Sequence, residues 1–600
     1  MTILQDEKLL FTPAIPHSDA LRTIFAFPNQ YSVGITSLGY QIVWATLALR
    51  SDIQVSRLFT DFQESLPRYP ELVGFSFSWE LDYVNILSLL ESLEIPCHSH
   101  QRQDRQAIIF GGGPVLTANP EPFAAFFDVI LLGDGENLIA DFINAYQEVR
   151  NADRPTKLRH LAQVPGVYVP SLYTVNYDSS EGEITAILPI DNNVPTFVSK
   201  QTYRSNTLSA STVVTKQAAW ENIYMVEVVR SCPEMCRFCL ASYLTLPFRT
   251  ASLESLIPAI EKGLKVTDRL GLLGASVSQH PEFDTLLDYL FQPKFEGVRL
   301  SIASVRTNTV TEKLARILSQ RDSKSITIAV ESGSDRLGLL GASVSQHPEF
   351  ETLLDYLFQP KFEGVRLSIA SVRTNTVTEK LARILSLRDS KSITIAVESG
   401  SDRLREIINK KLANDEIIQA AINAKAGGLK GIKLYGMVGI PGEETEDIGA
   451  TVEMLIALKK AASGLRISFG CSTFVPKSHT PFQWFGVNKM AEKRLKYLEK
   501  QLGKQGIEFR PESYNWSVIQ ALLSRGDRRL TSLLELTRGY GDSLGSYKRA
   551  FKELKGQIPP LDYYVHQQWR LEQVLPWSHL HGLLSSNVLV KHLEQSQTKR

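Results

Sequence analysis

Between about residues 31 and 145, short apolar runs alternate with stretches whose apolar positions recur at helical spacing. "YSVGITSLG" gives way to the helical "YQIVWATLALR", and the strand-like "IQVSRLFTD" and "ELVGFSFSW" precede the helical "VNILSLLESLEI". "AIIFGGG" and "FDVILLGDGE" add two more buried-strand patterns. Repeated βα units of this size predict an α/β region over 1–150, an open parallel sheet covered by helices. Residues 151–220 carry Pro- and Asn-bearing turns and short β-like runs such as "GVYVPSLYTVNY", and read as a connector. A second βα series runs from "YMVEVVR" (224–230) to "LRISFGCSTF" (465–474), giving a region over 221–485. From Asn488 charged helical patterns such as "KMAEKRLKYLEKQLGKQG" dominate, so 486–600 is expected to be mostly helical.

The second series contains its own echo. Residues 268–334 and 335–401 match except that Asp284 faces Glu351 and Gln320 faces Leu387. Each copy holds the second, third and fourth strand patterns of the series. Between the copies lies only "VESGSDRLGLLG", too short for the helical crossover that parallel neighbours need. The second copy therefore cannot extend one parallel sheet by simple addition. Identical candidates for one slot predict near-degenerate alternatives rather than a second site.

With 600 residues the chain exceeds one core, and 43% apolar and 22% charged residues are those of a soluble globular protein. Lys and Arg (65) nearly balance Asp and Glu (64), so net charge gives no support to nucleic-acid binding, although a local basic face stays open. No signal peptide or membrane-spanning run is read, which predicts a cytoplasmic protein without membrane attachment. Of five cysteines, three crowd together at Cys232, Cys236 and Cys239, with Cys97 and Cys471 apart. That spacing is unlike a secreted disulfide framework and points to a metal or redox centre.

The trio stands in "EVVRSCPEMCRFC", a C-x-x-x-C-x-x-C loop directly after an apolar strand. Structural zinc takes four protein ligands, and no fourth lies nearby. A [4Fe–4S] cluster is normally held by four thiolates, so three leave one iron open to an exogenous ligand. The alternative is a zinc knob completed from a distance, or three inert thiols.

This loop, with Phe238 before the third cysteine, resembles the signature of the radical S-adenosylmethionine (radical SAM) superfamily. The resemblance implies a partial TIM-type (βα)6 barrel, disturbed here by the 67-residue duplication. It also implies a cluster on Cys232, Cys236 and Cys239 that cleaves S-adenosylmethionine reductively, with electrons from a reductant such as ferredoxin or flavodoxin. Cofactor contacts are carried over to strand ends in order: Ser276 and Ser278, where the family's usual Gly-Gly-Glu-type turn is missing; Ser304 and Arg306, with their second-copy counterparts Ser371 and Arg373; Glu398 and Ser399, with Glu331 as rival; and Gly439 and Gly442 in "GMVGIPGE". The whole pattern looks closest to fused proteins that join a cobalamin-binding-like, Rossmann-like domain to a radical SAM domain. Cobalamin is an open expectation, since the D-x-H-x-x-G motif of the base-off fold is absent. The glycine turns Gly111–Gly113 and Gly133–Gly135 suit either a nucleotide tail or a tight βα turn.

The resemblance implies C–H activation on an unknown substrate, with methyl transfer as one outcome. A methylthiotransferase acting on tRNA or a ribosomal protein would need more N-terminal cysteines than Cys97 alone. The rival from another class is a non-catalytic iron–sulfur scaffold or RNA-binding protein, for which Arg525, Arg528, Arg529 and Arg538 supply basic helix faces.

Overall fold

A computed structural model describes residues 3–233, 235–274, 277, 280–302, 336–339, 366–369, 382, 392–410, 412–426 and 428–598. Its first large sheet uses β1 (Leu21–Ala26), β2 (Ile53–Leu58), β3 (Leu72–Ser76), β4 (Ile108–Gly112), β5 (Val129–Leu131) and β6 (Val167–Tyr168) in the order 2-1-3-4-5-6. All neighbours are parallel except β5 and β6. The near-continuous burial of β1, β3, β4 and β5 is the pattern of a parallel sheet covered on both faces. Helices α1 (Leu38–Ala48), α2 (Tyr83–Ser92) and α3 (Gly135–Glu148) cover it.

One expected strand is a helix. "YSVGITSLG" forms a turn-length helix, Tyr31–Thr36, and then enters α1. Tyr31, Gly34 and Ile35 are its buried residues, a helical spacing that its β-branched content disguises. Gly34 is needed there because a Cβ would lie 2.5 Å from the Phe59 ring. The sheet's first strand is instead Leu21–Ala26, upstream of the stretch read as βα.

The second series forms two parallel sheets. In one, β7 (Ile223–Glu227), β10 (Arg269–Leu273) and β11 (Arg299–Ile302) lie side by side. Between β7 and β10, the short strands β8 (Val229–Arg230) and β9 (Arg249–Thr250) pair antiparallel and close the base of the cysteine loop. The other sheet runs β14 (Ser392–Glu398), β15 (Gly431–Val438), β16 (Arg466–Thr473) and β17 (Glu508–Pro511). The parallel series thus continues past residue 485, carried by α10 (Ala491–Lys504) and β17. A single buried cluster joins the sheets, with Val226, Leu272 and Leu300 on one side and Ile395, Leu434 and Phe469 on the other.

The two copies are used differently. The first gives β10 and β11 to the sheet that starts at β7, and the second gives β14 to the sheet that ends the series. The second copy's counterparts, β12 (Arg336–Leu339) and β13 (Arg366–Ile369), pair only with each other among the described strands. Their register repeats the first copy's, Arg336 opposite Arg366 as Arg269 is opposite Arg299. Local sequence fixes this pairing, and among the described residues only the first copy's pair joins a further strand.

Removing 335–401 joins Ser334 to Asp402 and leaves one complete set of strand patterns. The shortened chain is expected to melt cooperatively, at a higher temperature and with less aggregate, because the competing pair is gone. A lower or broadened transition in scanning calorimetry would show that the second copy is needed.

Candidate functional site

Both parallel systems place their loops at the carboxyl ends of strands, and these edges face each other. The N-terminal sheet reverses its strand order between β1 and β3, where open α/β sheets form a crevice. A cavity of 510 Å³ lies there. One wall holds Ser76, Gly112, Gly113 and Asp134 of the N-terminal sheet; the other holds Arg230, Leu273 and Gly274 from the second series. Much of the rest is apolar, including Phe25, Phe75 and Phe110. Two of the turn glycines are demanded by the protein itself. A Cβ on Gly113 (φ +110°) would sit 2.6 Å from Phe77 O, and on Gly133 (φ +106°) 2.1 Å from Gln201 O.

Arg230, two residues before Cys232, ties the walls together. Its guanidinium contacts Asp134 Oδ1 at 3.1 Å, Glu136 Oε1 at 2.5 Å and Glu227 Oε2 at 2.6 Å. Arg249 pairs with Asp134 as well and donates to Tyr203 O. Both arginines together hold the Asp134 carboxyl below its usual range despite burial. Sequence pattern gave no hint of this network, since its members lie in four separate segments.

The cysteine loop leaves β8 through Ser231 and passes Met235, both non-glycine residues with left-handed backbone (φ +73° and +51°). The amide of Cys239 donates to Cys236 O at 2.9 Å, and α4 (Leu240–Leu244) begins directly after. Lys200, reaching in from the connector, donates to Leu244 O and to Leu246 O, the latter at 3.2 Å. Burial pulls that ammonium down to about 8. Cys232, Cys236 and Cys239 are half-buried and in no disulfide. Burial pushes the Cys236 thiol up, Lys410 pulls it down, and Cys239, Cys232 and Glu398 push it further up, so these five groups share one electrostatic environment. Three thiols on one loop, beside a lysine able to offset their charge, fit an iron–sulfur cluster chemically. Among the described residues no three Cys, His, Asp or Glu side chains are already gathered as a metal cage.

The other candidates divide. Phe238 packs partly buried against the large core. Glu398 ends β14 at a register shift with φ +64°, and its Oε1 accepts from Lys410 at 3.1 Å. Ser399 is buried and its hydroxyl accepts from the Ser401 amide at 3.1 Å, so it builds the turn. Gly400 in that turn admits no side chain, since a Cβ would lie 2.3 Å from Thr451 Cα. Gly439 (φ +81°) and Gly442 (φ +84°) flank a turn held by Glu443, which accepts from the Gly439 amide and from Arg494 Nη1, each at 2.6 Å. Ser276, Ser278, Ser304, Arg306, Glu331, Ser371 and Arg373 lie outside the described residues. Cys471 is buried, with its thiol pushed up by burial and by Glu443, Glu512 and Glu398.

The four arginines that suggested a basic face all have carboxylate or carbonyl partners in the protein. Arg525 is buried and donates to Tyr564, Val565 and Gln567 carbonyls, stacked over Trp569. Arg528 pairs with buried Glu121, Arg529 with Asp527, and Arg538 with Glu91. Arg528 and Arg538 tie the C-terminal helices to the N-terminal region, and Arg529 ties them to the connector through the Ser180 and Gly182 carbonyls.

Burial raises the Glu443 carboxyl to about 7, against the pull of Arg494 and the Gly439 amide. The folded state then binds more protons than the unfolded chain between the ordinary carboxyl value and about 7, so stability falls as pH rises through that window. Glu443→Gln is expected to flatten this slope in urea melts taken between pH 5 and 7.5. An unchanged slope would place the titration elsewhere.

Comparison with known proteins gives these features a family. Residues 50–170 match the model described as "Radical SAM proteins, N-terminal" and residues 335–455 match "Radical SAM superfamily". The second match starts at the second copy and leaves out the cysteine loop. An uncharacterized protein of Methanocaldococcus jannaschii is 26% identical over 525 residues, 87% of this chain and 93% of the relative. An uncharacterized methyltransferase of Pyrococcus horikoshii is 32% identical over 101 residues, 17% of this chain and 22% of the relative. The solved radical S-adenosylmethionine methyltransferase TsrM of Kitasatospora setae, with cobalamin and a [4Fe–4S] cluster bound, aligns over 79% of this chain and 78% of its own. At 12% identity and a TM-score of 0.42 that likeness carries no weight for this chain. Radical SAM domains work with a [4Fe–4S] cluster and S-adenosylmethionine, and the expectation raised by the cysteine loop is met: this chain carries radical SAM family domains over both matched stretches.

Proposed function

We propose that this protein is a radical SAM enzyme that activates a C–H bond of a substrate held between its N-terminal sheet and a radical SAM barrel. The observation that carries this is the shared cavity, walled by the carboxyl edges of both strand systems and by Leu244 and Thr245 at the end of α4. Cys232, Cys236 and Cys239 would hold the cluster. A [4Fe–4S] cluster held there would supply the electron for reductive cleavage of S-adenosylmethionine.

The chain's own groups prepare that site. Lys410 compensates thiolate charge and is itself kept in place by Glu398. The Glu398–Ser401 turn and the Gly439–Gly442 turn stand at adjacent strand ends, where the backbone would line S-adenosylmethionine. Arg403 fastens one turn to the other by donating to Gly442 O at 2.8 Å. Phe25, Phe75 and Phe110 keep the cavity apolar, which limits stray hydrogen donors around a reactive radical.

Methyl transfer through cobalamin in the same cavity is the second reading, favoured by the cavity's place at the strand-order reversal of the N-terminal sheet. Among the described residues lining it there is no histidine.

Anaerobically reconstituted protein given S-adenosylmethionine and dithionite is expected to release 5′-deoxyadenosine, and Cys236→Ala to release none. Cluster-loaded protein that leaves S-adenosylmethionine intact would sink the enzyme reading. Retention of added hydroxocobalamin through gel filtration, read by its visible absorbance, decides the second.

A further inference from the structure

The last helix of the chain, α14 (Ser586–Gln597), lies against the cysteine loop. Tyr243, in α4, directs its hydroxyl to Met235 O at 3.4 Å, inside the loop. The same hydroxyl is 3.2 Å from His592 Nδ1. The phenol carries one proton; with that proton on Met235 O, Nδ1 of His592 carries its own and donates to the phenol oxygen. The rings meet edge-on with centroids 6.1 Å apart.

A second fastening stands beside the first. Arg237, between Cys236 and Phe238, donates Nε to His592 O at 3.0 Å. Its Nη1 donates to Glu406 O at 3.1 Å and Ile407 O at 2.8 Å, in α7 (Asp402–Ile407). One buried guanidinium therefore joins the loop, α7 and α14. Met235, with its left-handed backbone, lies between the first and second fastenings, and such a conformation persists only where its surroundings impose it.

We propose that α14 is a working part of the cluster site, with His592 a positioning residue that acts through Tyr243 and Met235 to keep the Cys232–Cys239 loop in its cluster-receiving shape. This rests on the assignment of that loop as the cluster site.

The test uses the full chain, reconstituted anaerobically with iron and sulfide, as wild type, His592→Leu, His592→Asn, Tyr243→Phe and the Tyr243→Phe/His592→Leu pair. Iron release to a chelator and the midpoint potential, followed by electron paramagnetic resonance, are measured without S-adenosylmethionine. His592→Leu and Tyr243→Phe are expected to lose iron about 10-fold faster than wild type, the scale of lost outer-shell contacts. The pair should be no worse than either single change, since both cut one chain of contacts. His592→Asn should hold iron near the wild-type rate, its amide N–H replacing Nδ1–H. Wild-type retention and potential in His592→Leu would overturn the proposal, as would His592→Asn failing alongside His592→Leu. Wild type that takes up no iron would instead overturn the cluster assignment, and this proposal with it.

Discussion

The arrangement depends on one half-buried arginine. Arg230 brings Asp134 and Glu136 of the N-terminal region against Glu227 of the second series, at the wall of the cavity. Such a group gains little net stability over apolar packing. Its value here is geometric. Three carboxylates around one guanidinium fix how the two carboxyl edges face each other, so the cavity has defined walls. Arg230 is also the last strand residue before the cysteine loop, so the same contact anchors the start of that loop.

What could be read from sequence follows the range over which each signal acts. The C-x-x-x-C-x-x-C spacing and the apolar runs of β7, β10, β11, β14, β15 and β16 are local, and the structure places them as read. "YSVGITSLG" was misleading because β-branched residues resemble a strand, while burial follows helical spacing at Tyr31, Gly34 and Ile35. Arg230, Lys410, Arg237 and His592 had no local signature at all. Each matters through a partner far along the chain, and single-sequence pattern carries no information on such pairs. The arginines of the C-terminal helices failed for the same reason: charge was visible, but the buried acids and carbonyls that absorb it were not.

The duplicated segment shows how local and global specification separate. Two identical strand pairs adopt one register, yet only one is hydrogen-bonded to a neighbouring sheet. Hydrogen bonding within a pair is settled by its own side-chain alternation, whereas placement in the series needs a helical crossover on each side. The first copy has the upstream crossover α5 (Leu253–Leu264), and the second has the downstream α8 (Asn414–Ala426). The chain therefore takes its early strands from one copy and its late strand from the other.

That division has a genetic consequence. The strands that join the two larger sheets lie toward the outer ends of the repeated block, at Arg269–Leu273 and Arg299–Ile302 in the first copy and Ser392–Glu398 in the second. Recombination between the copies, wherever the crossover falls, would excise 67 residues and leave the reading frame and both outer junctions unaltered. The resulting products could differ only in whether Asp284 or Glu351, and Gln320 or Leu387, is retained. Such a deletion would leave no scar at the protein level.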